Sequence, residues 1–151
     1  MTTSIFTAGY LYVGKDRLDI TRRGTSRQAR RGRPAPGAVL APSWLILGPA
    51  LVRMRAAETR EQKALVFAEY ERLYLGELEG RIARQSRQWA ALLEDVEELT
   101  LVCFCADAEF CHRRLAAAKL AAESEGMATY CGERPPPPVD LRQKQRDLWE
   151  P

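Results

Sequence analysis

Histidine occurs once in this chain of 151 residues, at His112. Any chemistry that needs an imidazole must use that position, and a site with two histidine ligands is excluded within one chain. No run approaches the eighteen or so apolar residues that span a bilayer. The start, MTTSIFTAGY, lacks a basic segment followed by a long apolar one. These absences argue against a membrane partner and make a cytoplasmic location the expectation. Cysteine is scarce, four in all, and without an export signal the four are read as thiols or metal ligands rather than a disulfide framework. Neither sign of charge dominates, with 23 Lys and Arg against 20 Asp and Glu, so net charge alone does not imply nucleic acid. No internal repeat is visible.

What is present is globular usage, 46% hydrophobic and 28% charged. The length suits one domain that buries roughly two thirds of its unfolded surface. Ser4-Ile5-Phe6-Thr7-Ala8 favours a strand that runs into a turn at Gly9-Tyr10. The stretch RRGTSRQARRGRP holds Arg22, Arg23, Arg27, Arg30, Arg31 and Arg33 and no acid. Its Gly, Ser and Pro content and lack of apolar periodicity predict a mobile basic loop, suited to phosphate contact or simply solvated. Ala41-Pro42-Ser43-Trp44 reads as a helix entry capped by Ser43, with Gly48-Pro49 breaking the chain direction.

From Ala57 to Ile82 the residues Val66, Phe67, Tyr70, Leu73, Tyr74, Leu78 and Ile82 recur at three-and-four spacing, which predicts a long amphipathic helix with both tyrosines facing the core. A shorter helix follows through Trp89, Leu92, Leu93 and Val96. The run Leu99 to Cys105 has the continuous apolar character of a central parallel strand. Cys111 to Glu125 predicts a helix closed by Gly126, and Met127 to Cys131 a last short strand. The expected fold is α/β: a single domain over residues 1–133, with a mostly parallel small sheet flanked by helices in a Rossmann-like three-layer arrangement. Residues 134–151 form a proline-rich spacer and a terminal peptide.

Three of the four cysteines and the histidine lie between Cys103 and His112, followed by Arg113 and Arg114. Alternation along a strand puts Cys103 and Cys105 on one face, with Cys105 at the strand's carboxyl end. Cys111 and His112 then open a helix, where free N–H groups and the dipole lower a thiol's pKa and attract anions. Three readings stay open. In one, Cys105 or Cys111 is an activated thiolate with His112 as its partner and Arg113 holding an anion. In another, Cys103, Cys105, Cys111 and His112 bind zinc or an iron–sulfur cluster. In the third, the cysteines are small buried hydrophobes. Asp107 and Glu109 are candidate proton carriers. Ligands of open α/β sheets bind beyond the carboxyl ends of strands, so Tyr10, Tyr12, Lys15 and Arg17 are expected to join the pocket, with Arg114, as substrate- or phosphate-binding residues.

These residues resemble the bacterial and archaeal family called domain of unknown function 488. The likeness rests on Thr7-Ala8-Gly9-Tyr10, on Arg17-Leu18-Asp19-Ile20-Thr21, on Ala41-Pro42-Ser43-Trp44, and above all on Leu101 to Cys105 followed by Phe110-Cys111-His112-Arg113. It implies an α/β architecture with the site at the Cys-His-Arg helix opening, and it supplies no reaction. Near the end, Gln145-Arg146-Asp147-Leu148-Trp149 looks like the peptide by which replication and repair proteins dock on the sliding clamp. Together these readings point to an enzyme or accessory factor of DNA or nucleotide metabolism. The alternatives are a non-catalytic nucleic-acid or nucleotide binding module and a metal-stabilised interaction domain.

Overall fold

The computed structural model describes residues 2–105 and 108–135. Four parallel strands form its sheet: β1 (Thr3–Gly9), β2 (Arg17–Asp19), β3 (Glu98–Cys103) and β4 (Ala128–Glu133), in the order β2-β3-β1-β4. β1 pairs with β3 from Ser4↔Glu98 to Gly9↔Cys103, which makes these two the central strands. Five helices complete the domain: α1 (Arg22–Gln28), α2 (Trp44–Ala56), α3 (Arg60–Arg84), α4 (Ser86–Ala91) and α5 (His112–Ala122). The parallel α/β domain expected from the sequence is present. Among the described residues no helix is long and apolar enough to cross a membrane.

Strand alternation sorts the sheet into two faces. Ile5, Leu99, Leu101 and Cys103 face a core that includes Ala116, Ala117 and Leu120 of α5 and Tyr70, Tyr74 and Leu78 of α3. α3 begins with a capping box, in which the Thr59 hydroxyl accepts from Gln62 N–H and the Gln62 side chain accepts from Thr59 N–H. It also holds the segment before α2. Tyr74 Oη donates to Leu40 O, Arg81 donates to Val39 O at 3.0 Å, and Glu77 accepts from Ser43 N–H at 2.7 Å.

The opposite face carries Phe6 and Thr100. Asp16 accepts from the Tyr12 and Thr100 hydroxyls, each at 2.5 Å, and Arg134 lies 3.8 Å over the Phe6 ring while donating to Thr100 Oγ1 at 2.9 Å. Burial alone would push the Asp16 carboxyl up. The Thr100 and Tyr12 hydroxyls, with Arg134, outweigh it and hold the group below the ordinary carboxylate value.

Three expectations need correction. The arginine-rich stretch is not wholly loop, because its first part is α1. Thr21 caps it by accepting from Gly24 N–H at 2.9 Å, and Asp19 in turn accepts from Thr21 N–H at 2.8 Å. A side-chain cap needs no apolar period, so the sequence pattern conceals it. Gly48-Pro49 does not break α2, which runs through both to Ala56. A proline deletes one helical hydrogen bond, and here the helix is supported by packing on α3. β3 ends at Cys103, leaving Cys105 two residues beyond it rather than in the strand. β2 leaves no mark in the sequence, since its three residues are too few to show a period.

Candidate metal and thiol centre

The site forms where β3 hands over to α5. Cys103 (0% exposed) ends the strand, Cys111 (1%) is the N-cap of α5, and His112 (5%) is its first residue. Cys105 is half-buried. One donor atom from each of Cys103, Cys105, Cys111 and His112 lies within 4.8 Å of every other. Cys103 Sγ and Cys111 Sγ are 2.6 Å apart, and Cys105 Sγ is 4.0 Å from His112 Nδ1. The other ring nitrogen, Nε2, is 3.2 Å from Ile20 O. A carbonyl only accepts, so Nε2 carries the proton and Nδ1 offers its lone pair to the sulfurs.

Arg113 is the cluster's counter-ion. Its Nη1 donates to Cys103 Sγ at 3.2 Å, to Cys111 Sγ at 3.4 Å and to Cys105 O at 3.0 Å. Its Nε and Nη2 donate to Glu133, the closest contact being 2.6 Å. Glu133 reaches this position through an irregularity in β4. β1 pairs Ile5 with Tyr130 but Thr7 with Glu133, so β4 carries one extra residue there, and Gly132 adopts φ +103°. The bulge turns Glu133 to the same face as Tyr130, toward Arg113, where the Thr7 hydroxyl also donates to it at 2.5 Å.

The thiols share one negative charge. Cys103 is held far below the ordinary thiol value by hydrogen bonds from the Cys105 and Cys111 thiols, opposed by burial and aided by Arg113. Cys105, donating to Cys103, is pushed up to about 12. Burial, together with the Cys103 charge, pushes Cys111 up as well. Burial pushes His112 down, which keeps its ring neutral. Hydrogen bonds and Arg113 thus favour the charged form at Cys103, while burial favours the protonated Cys111 and the neutral His112.

A small cavity of about 70 Å³ opens on the cluster from one side. Cys105 and His112 form one wall, with Phe110, while Leu47, Ala50, Leu51 and Met54 of α2 and Phe67 and Tyr70 of α3 form the rest. Tyr70 is 6% exposed and its hydroxyl has no hydrogen-bond partner among the described residues. Burial pushes its phenol far up, so it stays protonated. The sequence does not reveal these helical walls, because Tyr70 reads as an ordinary core-facing aromatic and the α2 residues carry no motif. The one available signal was the density of large apolar residues in both α2 and α3.

The residues expected around the first turn are divided by the sheet. Tyr10 stacks on Phe104, ring centroids 3.7 Å apart, and the Arg17 guanidinium lies 4.6 Å above the Tyr10 ring. Arg17 also donates to Tyr12 O and Tyr10 O. Tyr12 instead joins Asp16 on the face away from the cysteines, and Lys15 and Arg114 are exposed. Arg113, expected to hold an anion, is buried and engaged by Glu133 and the sulfurs. Glu109 pairs with Arg60 at the surface. Asp107, and the docking peptide with Gln145, Asp147, Leu148 and Trp149, lie outside the described residues.

A family model described as the active DUF488-N3 subclade matches residues 11–125. The chain belongs to this family. The match covers both the Cys-His-Arg opening of α5 and the helices that wall the cavity in this DUF488-N3 member. No curated protein and no solved structure matches the chain.

Proposed function

We propose that the protein is a metal-dependent enzyme built on a single zinc ion held by Cys103, Cys111 and His112, with Cys105 as a fourth, exchangeable ligand. The observation that carries this reading is the convergence of four soft donor atoms within 4.8 Å of one another. Thiolate and imidazole are the donors that zinc selects, and ligand bonds of about 2.0–2.3 Å need a cluster of this compactness. His112 has the arrangement of a zinc-bound imidazole, one nitrogen facing the donors and the other donating to a backbone carbonyl. Arg113 balances the charge, since three thiolates outweigh a divalent ion by one unit and the guanidinium supplies one. The donors differ in burial: Cys103, Cys111 and His112 are buried and Cys105 is half-buried, and of the four only Cys105 and His112 border the cavity. With Cys105 displaced, two cysteines and one histidine leave the open fourth position of a catalytic site, whereas all four donors together make a closed set of three cysteines and one histidine. Such an ion acts as a Lewis acid on an oxygen-bearing substrate.

Elemental analysis of tag-free protein, purified under reducing, chelator-free conditions, tests this directly. About one zinc per chain is expected, reduced at least tenfold in Cys103→Ser, Cys111→Ser and His112→Ala and less in Cys105→Ser. Folded protein without stoichiometric metal overturns the reading.

A separate observation favours a second reading, a module directed at nucleic acid in DNA or nucleotide metabolism. Arg22, Arg23, Arg27, Arg30, Arg31 and Arg33 are all exposed, on and just after α1, which follows directly from the Ile20 carbonyl that His112 grips. Binding of single- or double-stranded DNA through these side chains would fall steeply with salt, by roughly one unit of logarithmic slope per phosphate contacted. Affinity that ignores salt, or that survives Arg23→Glu combined with Arg27→Glu, argues against it.

A further inference from the structure

The cavity beside Cys105 and His112 combines an apolar lining with one orphaned polar group. Buried hydroxyls are almost always hydrogen-bonded, so the unpartnered hydroxyl of Tyr70 asks what it serves. Its neighbours give the answer by exclusion. Among the described residues no lysine, arginine, aspartate or glutamate lines the cavity, so a phosphate or carboxylate entering it would lose its hydration without an ionic partner among them. A purely apolar occupant would leave the hydroxyl orphaned. A compact neutral molecule with one hydrogen-bonding oxygen satisfies both demands. The volume, about 70 Å³, is several times the roughly 10–15 Å³ that a single water needs, which leaves room for a small guest.

We propose that this cavity is the substrate chamber of the metal centre, and that it admits a small neutral carbonyl or hydroxyl compound whose oxygen is held by the Tyr70 hydroxyl. The assignment rests on the metal reading for its chemistry, though its geometry belongs to α2 and α3. The guest's oxygen would meet the Tyr70 phenol on one wall and Cys105, the ligand it would displace, on the other. Tyr70 is thus a binding residue that touches the substrate, and the apolar walls set its size limit.

The test uses the zinc-loaded full chain labelled with ¹³C at its methionine methyls. Of the three methionines, Met54 lines the cavity, while the exposed Met127 serves as an internal reference. Acetone is the probe, and xenon, which has no oxygen, is the control. Acetone should shift the Met54 resonance saturably and leave Met127 in place. Tyr70→Phe removes an atom that makes no bond, so it should fold normally. It should weaken acetone at least fivefold and leave xenon unchanged. Ala50→Leu should fill the chamber and abolish both responses. An absent Met54 shift, or equal acetone affinity in Tyr70→Phe, overturns the inference. Zinc content of the same samples separates the two proposals. Tyr70-dependent binding in a protein that takes no zinc supports the chamber and removes the metal, whereas full zinc loading with no acetone response removes the chamber alone.

Discussion

Arg113 illustrates how much one buried cation organises. Its guanidinium spans Glu133 on β4, two sulfurs and the Cys105 carbonyl. Arg113→Met should therefore destabilise the domain by about 3 kcal/mol, because it leaves the Glu133 carboxylate with only the Thr7 hydroxyl and removes the cation beside the sulfurs. Chemical denaturation would measure the loss, and a change below about 1 kcal/mol would show the pair to be dispensable. Asp16 provides the pH dependence. Its folded carboxyl titrates below the unfolded value, so its contribution is present above about pH 4 and is lost as pH falls through the folded value. Asp16→Asn should cost about 1–2 kcal/mol at neutral pH and flatten the acid limb of the stability curve. At this scale the cysteines, His112 and Arg113 were legible in the sequence, because they lie within one short segment and their chemistry is unusual. The roles of Tyr12 and Arg113 were not, since facing toward or away from the cluster depends on strand register and on a bulge at Gly132.

At the scale of elements, α1 and the 3-10 turn Pro36–Val39 show close packing around β2. A methyl on Gly24 would collide with the Asp19 carboxylate, and one on Gly37 with the Asp19 backbone carbonyl. A side chain can swing aside, but a strand backbone cannot. Gly37→Ala should thus cost about 2 kcal/mol or more, and Gly24→Ala less, even though alanine is the better helix former. Thermal melts of the two variants would compare them, and equal midpoints would contradict the reasoning. The long helix α3 and the strands β1 and β3 were legible because burial writes a period of 3.6 or an unbroken apolar run across many residues. β2 and α1 were not, since β2 has no length for a period and α1 is defined by polar caps.

For the whole molecule, the proposed ion ties three parts together: the end of β3, the start of α5 and, through His112, the carbonyl of Ile20. Removing it should lower stability by mass action, by about 4 kcal/mol where free metal stands a thousandfold above its dissociation constant. In a domain of this size that is about 10 °C in Tm. Melting with and without chelator reads it, and coincident curves would mean that no ion holds these elements. The sheet has a further consequence, for synthesis. β1 leaves the ribosome long before its two neighbours, because its register partners run from Glu98 to Cys103 on one side and from Ala128 onward on the other. Throughout that interval its apolar side chains and both edges stay uncovered, so nascent chains stalled before Cys103 should cling to holding chaperones, and native structure should arrive late and abruptly.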